Sequence, residues 1–99
     1  MAAETIPFDA SEFFADAEAQ AALLTDAFES GDAGHIANAL GIIAKAKGMT
    51  SVAREAGVTR EALYKALSER GDPKFSTVLG VARALGLKLT VTPVSEPVE

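Results

Sequence analysis

The chain of 99 residues contains no cysteine. That excludes a disulfide framework, a thiolate nucleophile and any zinc site built on cysteine. The single histidine, His35, has no second imidazole to share a metal with and reads as a residue of a helix's first turn. No apolar run approaches the length of a membrane span. The opening MAAETIPFDASEFF lacks a basic stretch followed by an apolar core, so it does not read as a secretory signal. The nucleophile pattern GxSxG and a glycine-rich phosphate loop are also missing; GHIANALG is helical in pattern. The expectation is a cytoplasmic binding protein with no cofactor, no metal and no enzymatic activity.

Charge of one sign is missing from nearly half the chain. Residues 1–44 carry eight acids (Glu4, Asp9, Glu12, Asp16, Glu18, Asp26, Glu29, Asp32) and neither Lys nor Arg. Residues 45–74 carry seven bases (Lys45, Lys47, Arg54, Arg60, Lys65, Arg70, Lys74) against four acids, and residues 75–99 balance. The net charge of −5 therefore hides a basic middle behind an acidic arm. Two differently charged segments suggest two surfaces for two partners.

Nearly half of the residues are hydrophobic, and the length suits one core. Residues 1–8 read as a flexible N-terminus, 9–93 as one domain opening on an acidic helix, and 94–99 as a flexible tail. Asp9 with Glu12 resembles a capping box. Phe13, Ala17, Ala21, Leu24 and Phe28 recur at helical spacing behind it. A second helix is expected from Asp32 to Gly48, with Ile36, Leu40 and Ile43 inward. A third spans about 51–56 with Thr50 as its cap, a fourth about 60–69 with Thr59 as its cap, and a fifth about 75–85. Phe75, Val78, Ala82 and Leu85 mark the inward side of the fifth. RGDP at 70–73 is a turn by composition; RGD there carries no adhesion reading. LKLTVTP at 87–93 alternates and reads as a short C-terminal β-strand. The fold class expected is all-α, about five helices with that strand. A lone strand needs a partner edge, which points to a second chain.

The stretch SVAREAGVTREALYKAL, residues 51–67, carries the functional reading. Two short helices meet at Gly57, where a tight turn favours positive φ. Val52, Ala53, Ala56, Val58, Leu63 and Leu67 make the shared interior. This is helix-turn-helix grammar. Arg60, Glu61, Tyr64, Lys65 and Ser68 then face outward from the second helix. A helix in the DNA major groove reads bases with its N-terminal residues. Arg60 suits guanine O6 and N7, and Glu61 suits cytosine N4. Tyr64 and Lys65 suit phosphate or a thymine methyl, and Thr59 opens the helix. Thr50 and Ser51, and likewise Lys74, Ser76 and Thr77, sit at helix starts that suit phosphates. The bland alternative is a solvated charged face.

Residues 8–93 resemble the HigA-type, Xre-like helix-turn-helix addiction-module antidotes. The likeness rests on PFDASEF and on ALGIIAKAKGMTSVAREAGVTREALYKALSERGDPKFSTVLGVARALGLKLTV. Its most diagnostic run is REALYKALSERGDPKFSTVLGVARALGLKL. The resemblance implies a lambda-repressor-like domain and a homodimer on its own double-stranded operator DNA. It also implies a RelE/ParE-like toxin encoded next door. One departure is Ser51, where many relatives have Gln to grip phosphate. A ribonuclease-type toxin is basic because it holds RNA, and an acidic helix complements it. Asp16, Glu18, Asp26 and Glu29 are the candidate toxin contacts. Dimerisation is expected through the strand and its adjacent helix. The rival reading is a phage-type repressor without a toxin.

Overall fold

The computed structural model describes residues 16–94. Five helices follow one another: α1 Ala17–Ser30, α2 Ala33–Lys47, α3 Met49–Ala56, α4 Arg60–Ala66 and α5 Phe75–Ala84.

Each boundary has a local cause. The Asp16 carboxylate accepts a hydrogen bond from the Ala19 amide at 3.3 Å and starts α1. The start expected at Asp9 lies outside the described residues. Gly31 ends α1 at φ 69°, and Asp32 caps α2 by accepting from the Gly34 amide at 3.1 Å. Lys45 and Lys47 fall in the last turn of α2, where the helix dipole favours cations. Gly48 both closes α2 and opens α3. Thr50 therefore does not cap α3: the helix begins one residue before it, at Met49, without a side-chain cap.

The core is shared by all five helices. Leu40 and Ile43 of α2, Val52 of α3, Leu63 of α4 and Val81 of α5 are its largest fully buried side chains. α1 packs on α2, while α3 packs on α2, α4 and α5. Glycine permits two close approaches between elements. A Cβ on Gly80 of α5 would lie 2.9 Å from the Ala56 Cα. One on Gly41 of α2 would run into the Leu67 carbonyl oxygen just past α4.

The inward face of α1 is not the expected one. Gln20, Leu24 and Ala27 are buried, whereas Ala17, Ala21 and Phe28 are exposed. The stripe was displaced because alanine is too small to decide which side of a helix turns in. On α5 the expected side holds except at its start: Ala82 and Leu85 are buried and Val78 packs against the core, whereas Phe75 is 71% exposed.

The C-terminal strand is absent: the described residues contain no strand, and the fold is wholly helical. Gly86, at φ 73°, and Leu87 close α5 instead. The Gly86 amide donates to Arg83 and the Leu87 amide to Ala82 at 2.8 Å. Leu87 packs against the core, but the chain beyond it meets no edge to pair with. Leu89 is 38% and Val91 95% exposed, so the alternation buries nothing further.

Candidate nucleic-acid interface

The helix pair α3–α4 is built around Gly57. This residue takes φ 77°, a left-handed conformation that any side chain would strain. The Gly57 amide donates to the Arg54 carbonyl and the Val58 amide to that of Ala53, both at the end of α3. This glycine-terminated cap satisfies the last carbonyls and turns the chain. Val58 folds back onto the core. Thr59 then caps α4, its hydroxyl accepting from the Ala62 amide at 3.0 Å. α4 ends at Ala66, shorter than the span to 69 expected from sequence.

Leu63 and Leu67 are the inward anchors of this segment. The opposite side presents Arg60, Glu61, Tyr64 and Lys65, all exposed. Ser68 is half-buried, its hydroxyl donating to the Lys65 carbonyl. In the neighbouring elements Thr50 is exposed and Ser51 half-buried, both in the first turn of α3. Thr59 is exposed at the turn between the helices. Lys74 and Ser76 are exposed and Thr77 half-buried at the start of α5. Among the described residues, no hydrogen bond, ion pair or ring contact ties this last group to the side chains of α4.

One cluster does form. The Arg60 guanidinium carbon and the Lys45 ammonium each lie 5.9 Å from the centroid of the Tyr64 ring. Arg60 and Tyr64 are one turn apart on α4. Lys45 arrives from the last turn of α2 and was not among the residues picked out as DNA contacts. The charge count of residues 45–74 included it, but nothing local in the sequence links it to a tyrosine nineteen positions on. Each such contact is worth roughly 0.5–1 kcal/mol at an exposed site.

The charges divide by helix terminus. Glu61 in the first turn of α4 and Lys65 in its last suit the dipole without any partner. Arg60 opens the same helix, where a cation is disfavoured. Among the described residues, no carboxylate forms an ion pair with Arg60 or Lys45.

The acidic candidates lie on α1. Asp16 is committed to capping, while Glu18, Asp26 and Glu29 are exposed. His35, in the first turn of α2, lines a shallow depression with Asn38 and Glu69. Among the described residues no three His, Asp or Glu side chains gather as a metal site would require. No described helix is long and apolar enough to cross a membrane.

Comparison with known proteins adds identity to this geometry. A protein of Haemophilus influenzae (strain ATCC 51907 / DSM 11121 / KW20 / Rd), described as uncharacterized, is 42% identical over 84 residues. The match covers 85% of this chain and 87% of that protein. No solved structure matches. Residues 4–93 match the family described as "Probable addiction module antidote protein", whose name implies a toxin as partner. The chain belongs to this family of addiction-module antidotes.

Proposed function

We propose that the protein is the antitoxin of a type II toxin–antitoxin module. It neutralises a RelE/ParE-like toxin in the cytoplasm and represses its own operon by binding operator DNA. The reading is of a HigA-type regulator that acts by binding and performs no catalysis. The observation that carries it is membership of the antidote family across residues 4–93. The DNA half is supported by α3, the Gly57 turn and α4, with Arg60, Glu61, Tyr64 and Lys65 exposed on one short helix. Glu18, Asp26 and Glu29 on α1 are offered to a basic toxin.

A homodimer presents two α4 helices to half-sites about one DNA turn apart. With the strand gone, the adjacent helix is left to join the copies. Phe75 and Leu79, one turn apart on α5 and both exposed, are its apolar contacts.

The test has two arms. Co-expression with the small basic protein of the same operon should relieve growth arrest and yield a co-purifying complex. Fluorescence anisotropy on DNA from upstream of the gene should show selective binding over scrambled duplex. Arg60→Ala should lose about 1–3 kcal/mol of that selectivity if the guanidinium reads guanine. Selective DNA binding with no neighbouring toxin would leave a phage-type repressor. A toxin complex with no DNA binding would remove the regulatory half.

A further inference from the structure

Lys45 and Arg60 share one ring, although they come from different helices. Both cations lie 5.9 Å from its centroid, so they are no further apart than twice that distance. Exposed like charges at the outer end of that range repel only weakly in water, so both can stay by one ring. Here no carboxylate of the described residues neutralises either one. Arg60 is moreover held at the first position of α4, against the helix dipole. Tyr64 is 44% exposed, so the ring holds the pair at the surface rather than inside.

We propose that Lys45 and Arg60, held on the Tyr64 ring, form a two-cation seat for a phosphate of the DNA backbone. This rests on the DNA-binding reading above and changes it in three ways. It moves the Arg60 guanidinium from guanine to the DNA backbone. It adds Lys45, from α2, to the interface. It also makes Tyr64 a positioning residue for the two cations rather than a reader of thymine. The physical case is one of pre-ordering. Lys and Arg lose much side-chain freedom when fixed on a phosphate. A ring that already restrains both lowers what the complex must order. The clamp also sets register: a phosphate held at the first turn of α4 fixes which base step the helix meets.

Counterion release gives the measurement. Each phosphate neutralised contributes about 0.9 to the slope of log affinity against log salt. Affinity of the full-length protein is measured by fluorescence anisotropy on upstream and scrambled duplexes between about 50 and 200 mM salt, the interval over which that slope is read. Lys45→Gln should weaken binding to both duplexes by the same factor. Its affinity should change less than wild type across that interval, by a factor of up to about 3.5, the share of one whole phosphate contact, because Arg60 stays in the seat. Tyr64→Phe, which keeps the ring, should behave as wild type. Tyr64→Leu, which keeps a good helix former, should show a deficit like that of Lys45→Gln. Thermal melts of all three variants within a few degrees of wild type would tie these changes to the interface.

An unchanged slope for Lys45→Gln, with Arg60→Ala still defective, would overturn the clamp and leave the DNA reading standing. Equal losses for Tyr64→Phe and Tyr64→Leu would overturn the positioning role, because the hydroxyl would then be the contact. A wild-type protein that binds neither duplex at low salt would sink the clamp together with the DNA reading.

Discussion

Replacing Gly80 by alanine sets two effects of known size against each other. In an ordinary helix interior the change stabilises by about 1 kcal/mol, because alanine restricts the unfolded chain and shields the backbone. Gly80 is buried in α5, and its new Cβ would stand 2.9 Å from the Ala56 Cα and 3.1 Å from the Ala56 Cβ. Neither atom can rotate away: one is backbone and the other has no rotamer. The helices must separate, and forced overpacking of this kind costs about 1–3 kcal/mol. Because the obstruction is backbone, the upper half of that range applies, and the net change is a loss of about 1–2 kcal/mol. For a domain of this size that corresponds to a fall in Tm of roughly 5–15 °C. Thermal unfolding followed by circular dichroism reads it directly. Ala62→Gly, exposed in the middle of α4, calibrates the propensity scale in the same protein. A Gly80→Ala protein that melts above wild type would show the propensity gain unopposed. The claim that glycine fixes the α3–α5 spacing would then be wrong.

Three further outcomes follow from particular contacts. Thr59→Ala removes the hydroxyl that accepts from Ala62 and should cost about 0.5–2 kcal/mol in denaturant melts, whereas Thr59→Ser should recover most of it. Gly57→Ala places a Cβ in the left-handed turn and should cost about 1–2 kcal/mol, although nothing crowds that position. Phe75→Ser combined with Leu79→Ser should shift the protein toward monomer in sedimentation at micromolar concentration with its Tm held, since both side chains are exposed; an unchanged mass would exclude α5 as the dimer contact.

What could be read from sequence followed the strength of the local signal. Asp32, Thr59, Gly48 and Gly57 were legible as boundaries because each acts within three or four residues of its own position. Leu40, Ile43, Leu63 and Leu67 were legible as core because a large apolar side chain has few other places to go. The α1 face was not, since its alanines carry little burial energy and Leu24 alone fits either stripe. The strand failed for a different reason. Alternation in LKLTVTP states a preference, but a strand is a pairing, and the described chain offers no second edge. The glycine-terminated cap at Gly86 also spends the first apolar residue, Leu87, on closing α5.

The interface shows the same limit at longer range. Arg60, Glu61, Tyr64 and Lys65 could be placed on one outward face from the positions of Leu63 and Leu67 alone. Helical geometry carries that inference across a single turn. Lys45 could not be added, because its approach to Tyr64 depends on how α2 crosses α4. Gly41 marks one close approach between them, its missing side chain admitting the Leu67 carbonyl just past α4. Net charge misleads about this protein for a related reason. The 14 acids and 9 bases of the whole chain sum to −5, yet the residues that meet at the Tyr64 ring are all cationic or neutral. Partners respond to the field at the surface they touch, and only the packing of the helices determines which charges share that surface.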